Sequence, residues 1–223
     1  MSQELNDQLL KACSEGKLEE VNELLAKGAD SNCKNGDGRT GLMRVAKRGY
    51  EDIVEKLLET KADVNARDKN NDIALMGAAK HGYRSICEKL VEAGSDINAH
   101  DNDGRTSLMR AALLGEISVV EYLIEKGADI NKADNKGRTA LMEAVTAFKV
   151  DVIHYLLAKG ADVNKQDNEG CTCLMRASYG GYTDLVVYLL NRGADKNIKD
   201  NAGRSALQYI PNTADEELAN VLK

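Results

Sequence analysis

Five cysteines and three histidines are the side chains of this chain best suited to nucleophilic or metal chemistry. The cysteines are odd in number and share no regular spacing, which argues against a disulfide framework. They are Cys13, Cys33, Cys87, Cys171 and Cys173. Cys171 and Cys173 match no standard zinc spacing, and no nucleophile or base pattern joins His81, His100 and His154. We therefore predict no catalytic residue, no metal site and no cofactor.

Two short segments are similar in sequence to ligand-binding loops. Residues 36–41 match the pattern G-x-G-x-x-G, but a dinucleotide-binding loop requires a preceding strand and a later acidic residue, which the sequence does not predict. Residues 101–104, Asp-Asn-Asp-Gly, match the start of a calcium loop that lacks its later glutamate. We interpret both segments as turns.

The composition excludes several classes of protein. The 223 residues carry 30 basic and 36 acidic side chains, a net charge of −6. Tryptophan is absent, and Phe148 and Pro211 are the single residues of their types, which argues against a β-sandwich and against a disordered chain. The polar N-terminus is no secretory signal, and no apolar run approaches the roughly 18 residues of a membrane span. We predict a soluble protein of the reducing cytoplasm.

A period of 33 residues organises the whole chain. Leucine recurs in one column of this period, and methionine, aspartate, asparagine and glycine each recur in another. The leucine column is Leu42, Leu75, Leu108, Leu141, Leu174 and Leu207. Several columns in phase indicate a repeat protein.

One repeat, residues 104–135, shows the structure that each copy predicts. Thr106 suits the N-cap of a first helix, which Gly115 ends. The apolar residues of 119–124 form the stripe of a second helix, which Gly127 ends. Each copy is thus a pair of short antiparallel helices with a projecting turn. Because one pair cannot bury its apolar residues alone, the copies must stack as a solenoid.

These residues make the chain resemble an ankyrin-repeat protein. Residues 104–112 read G-R-T-S-L-M-R-A-A beside the family's G-x-T-P-L-H-x-A-A, and 127–131 match its G-A-D-x-N. The resemblance implies an all-α ankyrin-repeat solenoid of helix-turn-helix units with β-hairpin-like finger loops. It also implies a concave surface that binds proteins.

We predict a single domain over residues 1–223. Its parts are an N-terminal capping unit at 5–37, full repeats at 38–70, 71–103, 104–136, 137–169 and 170–202, and a C-terminal capping unit at 203–223. Residues 213–216 predict a capping box that opens a last helix through Leu222. Repeat 71–103 departs most from the pattern, with Asn71 for glycine and Ile73 for threonine, so we expect the weakest interface there. Methionine replaces the family's histidine in five repeats, and we expect it to contribute packing alone.

The resemblance places target contacts on the finger tips and on the exposed face of each first helix. These positions hold fifteen basic and five acidic side chains, a net charge of +10, which the neighbouring turn aspartates lower to +5. Such a lining favours an acidic partner, although the same charges could be merely solvated. The partner-binding residues that we predict are Arg44, Arg67, Lys80, His81, Arg105, Arg110, Leu113, Leu114, Ala147, Phe148, Arg176 and Tyr179.

Phe148 stands where other repeats place glycine, as at Gly49 and Gly115. Because a left-handed conformation is costly for phenylalanine, we expect the turn to be rebuilt there. Two roles stay open for its ring. It could lie between helices as part of the core, or it could serve with Leu113, Leu114 and Tyr179 as the apolar anchor of a binding site.

The sequence favours a non-enzymatic protein–protein interaction module: an adaptor, scaffold or regulatory subunit. We expect it to be monomeric alone and to bind a protein segment that is both acidic and apolar. One alternative is a structural or designed consensus-like array without a natural partner. A second is a nucleic-acid binder, which the acidic composition and the lack of interleaved aromatic residues disfavour.

Overall fold

The computed structural model describes residues 2–211 and 216–223, and within them the regular elements are all helices. The prediction of an all-α chain of helix pairs is therefore confirmed. The α-helices are α1 (Ser2–Glu15), α2 (Leu18–Ala26), α3 (Gly41–Arg48), α4 (Glu51–Glu59), α5 (Ala74–Lys80), α6 (Arg84–Glu92), α7 (Ser107–Leu114), α8 (Ile117–Glu125), α9 (Ala140–Thr146), α10 (Val150–Ala158), α11 (Cys173–Tyr179), α12 (Thr183–Asn191) and α13 (Glu216–Leu222), with a 3₁₀ helix at Ala206–Tyr209. The last helix agrees with the prediction, but most of its proposed capping box, residues 213–215, lies outside the described residues.

The chain forms two compact units. The first contains the described residues up to Ala111 together with Ser118–Ala128, and the second contains Ala112–Ile117 and the described residues from Asp129 onward. In the first unit α3 packs against α1, α4 and α5, and in the second α11 packs against α9, α12 and the 3₁₀ helix. Each unit thereby buries its own apolar core. That residues 1–223 form a single domain stays a prediction.

Threonine hydroxyls begin several of the first helices of the pairs. Each accepts a hydrogen bond of 3.3 Å from the backbone amide three residues later, which satisfies one amide of the first turn. At the cap of α5, Ile73 offers no hydroxyl. At α11 the sulfur of Met175 accepts from the Thr172 amide at 3.5 Å, so the expectation that methionine contributes packing alone is wrong there. The threonine caps are Thr40, Thr106, Thr139 and Thr172.

The turn after α9 keeps the left-handed conformation of its glycine-containing relatives. Phe148 has a φ of 52°, its amide donates to the carbonyl of Val145 at 3.1 Å, and the next amide donates to Ala144 at 2.9 Å. Gly181 and its successor form the same two bonds after α11. The expected rebuilding is therefore wrong. The ring of Phe148 packs against Tyr182, 4.2 Å between centroids, and this contact offsets part of the backbone cost.

Asparagine side chains connect successive finger loops and account for two of the repeat columns. The Oδ1 of Asn32 accepts from the amide of Asp63 at 2.7 Å, and Asn65 accepts from Asp96 at 2.8 Å. The Nδ2 of Asn65 also donates to the carbonyl of Gly94 at 3.0 Å. In the second unit, the bonds from Asp162 to Asn131 and from Asp195 to Asn164 repeat this arrangement. The fingers are thus hydrogen-bonded in register within each unit.

Candidate functional site

In the described part of the chain, the side chains that could ligate a metal are not clustered in threes, and the cysteines, which could act as nucleophiles, are buried. Among residues 2–211 and 216–223, no group of three His, Cys, Asp or Glu side chains is arranged to hold a metal ion. The five thiols are all buried and unpaired, and burial raises the pKa of Cys13, Cys87 and Cys173 to about 12. Because the thiolate is the nucleophile, these three cysteines are unsuited to catalysis near neutral pH. None of the helices that the structure describes is long and apolar enough to span a membrane.

The first unit contains a groove of about 540 Å³ that includes several of the predicted partner-binding residues. Six cationic side chains and two carboxylates line it, for a net charge of +4 with His81 neutral. We call this surface the basic groove and define it by Arg44, Lys47, Arg48, Gly77, Lys80 and His81.

Helices α3 and α5 position the cations of the basic groove. Lys47 and Arg48 lie in the last turn of α3, and Lys80 ends α5, where the helix dipole favours positive charge. His81 follows as the C-cap of α5. All four side chains are exposed. In the part of the chain that the structure describes, none of the lysines and arginines among them forms an ion pair.

Arg44 projects from the middle of α3 and is anchored on one side. Its Nη1 donates to Ser14 Oγ at 2.5 Å and to the carbonyl of Leu10 at 3.5 Å, both on α1. Its Nε is buried and has no hydrogen-bond partner among the described residues. The predicted binding residue thus lines the groove with a fixed guanidinium, of which Nη2 is the nitrogen that can still donate to a ligand.

Gly77 lines the basic groove without a side chain of its own. It occupies the column that holds Arg44 one repeat earlier and Arg110 one repeat later. A Cβ at this position would lie 3.2 Å from the Cβ of Lys47, which is a tight contact. Where the neighbouring repeats carry a long arginine, α5 therefore lies close to α3 and sends no side chain into the groove.

Arg110 was predicted to contact a partner, but the structure engages it internally. Its Nη2 donates to the carboxylates of Asp72 and Asp101, and only 19% of its side chain is exposed. Burial raises the pKa of Asp72. Burial also acts to raise the pKa of Asp101, but bonds from Arg110 and from the Arg105 amide together lower it below its usual value. Arg110 is thus the cation of a largely buried ion-pair cluster.

Arg67 and Arg105 lie in finger loops and are not among the lining residues of the basic groove. The Nη1 of Arg67 donates to the carbonyls of Asn71 at 3.3 Å and His100 at 3.1 Å, which connects two successive fingers. Arg105 is half-buried, and its amide donates to Asp101 at 2.9 Å. The structure therefore brings Arg44, Lys80 and His81 together and leaves these two arginines outside the group.

The second unit contains a groove of about 470 Å³ of different character. We call it the aromatic groove, and its aromatic lining residues are Tyr179, Tyr182 and Tyr209. The predicted contact Arg176 also lines it, but its Nη2 is paired with the buried carboxylate of Asp167. This groove therefore combines three tyrosines with the exposed charges of Glu169 and Arg204.

The second unit also exposes several large apolar and aromatic side chains. Tyr179 is 69% exposed, Phe148 45% and Leu114 40%, whereas Leu113 and Ala147 are half-buried. Phe148 is therefore a surface residue, and the alternative that its ring belongs to the core is wrong. Exposed aromatic side chains are typical of contact surfaces.

Sequence reasoning missed a polar cluster around Tyr209. The hydroxyl of Tyr209 donates to Asp200 Oδ2 at 2.6 Å, so the Cys171 thiol, 2.9 Å away, donates to the Tyr209 oxygen. Arg204 also bonds Asp200 and stacks on the tyrosine ring, 4.8 Å from its centroid. The hydrogen bond from Tyr209 is the largest cause that holds the pKa of Asp200 well below its usual range. The available signal was Cys171, which interrupts a column of arginines.

Comparison with known proteins agrees with this architecture. The family model described as ankyrin repeats in three copies matches residues 9–101, 75–167, 108–200 and 147–222. A comparison with curated proteins gave no match. Ankyrin repeats generally mediate protein–protein interactions, and they are typically not enzymes. The matches together span residues 9–222 and confirm the predicted repeat solenoid, and the chain therefore belongs to the ankyrin-repeat family.

Proposed function

We propose that the chain is a non-enzymatic protein–protein interaction module whose basic groove takes an acidic segment of a partner protein. The observation that carries this proposal is the set of three exposed cations, Lys47, Arg48 and Lys80, without ion pairs in the described chain. Unpaired cations that share one groove attract an oppositely charged segment and raise its association rate.

The carboxylates that line the basic groove do not cancel this attraction. Asp68 is buried and accepts from Arg39 Nε at 3.1 Å and from two backbone amides, those of Asn70 and Asp72. Asp72 is paired with Arg110. Both carboxylates are therefore already engaged by donors of the protein, although Asp72 shares the single charge of Arg110 with Asp101. The exposed lysines and arginine still give the groove its net positive charge.

The apolar surface of the second unit offers a contact of a different kind. The rings of Phe148 and Tyr182 pack against each other at a tilt of 35°, and Tyr179 is exposed in the last turn of α11. Aromatic side chains held in place on one surface are typical binding hot spots. We expect this surface to take apolar side chains of the partner.

The proposal is tested by fluorescence anisotropy with a labelled peptide of alternating Glu and Gly, beside a charge-reversed peptide of Lys and Gly. We expect the acidic peptide alone to bind, with an affinity that falls as salt rises. The double substitution Lys47→Glu and Lys80→Glu should abolish binding. The control is Lys27→Glu, which reverses the charge of an exposed lysine that follows α2, outside the groove.

Three results would overturn the proposal. They are equal binding of both peptides, binding that survives the double substitution, and preference for a single-stranded oligonucleotide over the acidic peptide. The last result would favour the nucleic-acid alternative, because phosphate backbones respond to the same cations.

A further inference from the structure

We infer that the basic groove is a binding site for a phosphoryl group on a serine or threonine side chain of the acidic segment. The inference rests on the proposed function and adds the chemistry of the recognised group. It concerns repeat 71–103, in which three departures from the repeat pattern, Asp72, Ile73 and Gly77, line this groove.

Gly77 sends no side chain into the basic groove. Its column reads Arg44, Gly77 and Arg110 over three successive repeats, so one long cationic side chain is missing where its two neighbours remain. A Cβ at Gly77 would lie 3.2 Å from the Cβ of Lys47, so α3 and α5 lie close together there and their cations line one groove of about 540 Å³. A groove lined by cations suits a compact anionic group.

The guanidinium of Arg44 is held in one orientation. Two bonds to α1 hold its Nη1, so the guanidinium plane is fixed before any ligand arrives. In the described chain its Nη2 has no hydrogen-bond partner and is not buried, whereas the unpartnered Nε is buried and out of reach of a ligand. A planar, immobilised guanidinium with an unused Nη2 matches phosphate oxygens better than a flexible ammonium does.

The basic groove also contains several cationic side chains that can donate to a phosphoryl group. Lys47, Arg48 and Lys80 line the same groove as Arg44, and each is without an ion pair among the described residues. One carboxylate carries a single negative charge, whereas a phosphoryl monoester carries nearly two and presents three acceptor oxygens. The four cations of the basic groove therefore match the charge of a phosphoryl group better than they match the charge of a single glutamate.

A carboxylate, Asp72, lies beside the cations of the basic groove. Asp72 occupies a column that holds arginine at 39, 105, 138 and 204. It is paired with Arg110, which also binds Asp101, so its charge is compensated only in part. Buried Met43 and Ile73 line the groove as well, and such an apolar lining strengthens the attraction between the remaining cations and an anion.

The test compares three labelled peptides in fluorescence anisotropy with the full chain. All three have the same Glu and Gly flanks, and the central residue is phosphoserine, glutamate or serine. We expect the phosphoserine peptide to bind about tenfold more tightly than the glutamate peptide, as one or more added charge-assisted hydrogen bonds would give. Vesicles that contain phosphatidylinositol 4-phosphate are measured in parallel.

Two variants locate the effect. Gly77→Arg restores the missing side chain and should remove the preference for phosphoserine while weak binding of acidic peptides continues. Arg44→Lys keeps the charge but loses the planar fork and should reduce the preference. The control Lys27→Gln changes a residue outside the groove and should leave the preference for phosphoserine unchanged. Circular dichroism melting of each variant confirms that it is folded.

The outcomes separate this inference from the proposed function. Equal affinity for the phosphoserine and glutamate peptides overturns the inference and leaves the acidic-segment proposal standing. Failure of all three peptides to bind overturns both. Binding to the vesicles without binding to the phosphoserine peptide overturns the inference in favour of a membrane lipid, and a preference that survives in Gly77→Arg overturns the location.

Discussion

Arg110 and Asp72 form an ion pair between residues 38 positions apart, and the same guanidinium also holds Asp101. Both carboxylates belong to residues 71–103, and the arginine belongs to the following repeat. The exposed fractions of the side chains are 19% for Arg110 and 8% for Asp101. A residue of the expected binding surface is therefore part of the connection between two repeats.

We predict that Arg110→Ala destabilises the first unit by about 3 kcal/mol, because it leaves two largely buried carboxylates without their cation. Urea unfolding followed by circular dichroism measures the change. The control Arg48→Ala removes an exposed, unpaired arginine and should change the free energy of unfolding by less than about 0.5 kcal/mol. Similar unfolding midpoints for the two variants would contradict this role of Arg110.

The left-handed turn at Phe148 gives a second prediction. Phe148→Gly and Phe148→Ala both remove the ring that packs on Tyr182, but glycine alone adopts a φ near 52° without steric cost. We expect the glycine variant to be more stable than the alanine variant by about 1 kcal/mol. Thermal unfolding of the two proteins under one condition measures the difference. Equal stability would mean that the turn relaxes in the variants.

Asp200 gives a prediction about acid. Its pKa in the folded chain is lowered, chiefly by the hydrogen bond from Tyr209, and the unfolded chain has the ordinary value of about 3.9. The ionised carboxylate therefore stabilises the fold above about pH 4, and this contribution is lost as the pH falls toward the lowered folded pKa.

The substitution Tyr209→Phe removes the main cause of this shift. NMR titration of the carboxyl carbon should show a higher pKa for Asp200 in the variant, and unfolding should depend less on pH below about 4. Tyr179→Phe, at an exposed tyrosine in the same groove, is the control and should leave the pKa of Asp200 unchanged. No difference between the two variants would show that the Tyr209 bond is unimportant.

The buried thiols give a fourth prediction. Burial raises the pKa of Cys13 to about 12, so its thiolate is scarce at neutral pH and its sulfur is shielded from reagents. Iodoacetamide should leave Cys13, Cys87 and Cys173 unmodified in the native protein and alkylate them in urea. Cys171 lies in the lining of the aromatic groove and should be the first to react. Mass spectrometry of tryptic peptides reports each site, and rapid native alkylation of Cys13 would contradict the burial.

Much of the fold could be predicted because its determinants are local and repeated. Thr106 caps its helix as expected, since a hydroxyl at that position reaches an amide only three residues away. The asparagine column has an equally direct cause, because Asn65 bonds the same backbone positions that its relatives bond one repeat along. Such interactions recur with the period, so the period reveals them.

The binding surface was harder to predict because charge counting treats every exposed position alike. Arg44 and Arg110 occupy one column, yet the first is anchored by a hydroxyl and a carbonyl and the second by two carboxylates. Gly77 lies between them, and its absent side chain is informative only once the neighbouring helices are in place. The interruption of the column by glycine was the signal that the sequence offered.

The amino-acid sequence by itself determined the helix pairs, their caps and the period at which they repeat, because these depend on residues that are near one another along the chain. Tertiary structure alone decided which arginines are committed to internal carboxylates, that Phe148 keeps a left-handed turn beside Tyr182, and that Gly77 lets α5 lie close to α3 beside a groove lined by cations. The physical reason is that a side chain's free charge and exposure depend on partners about one repeat away, and those partners differ from one copy to the next.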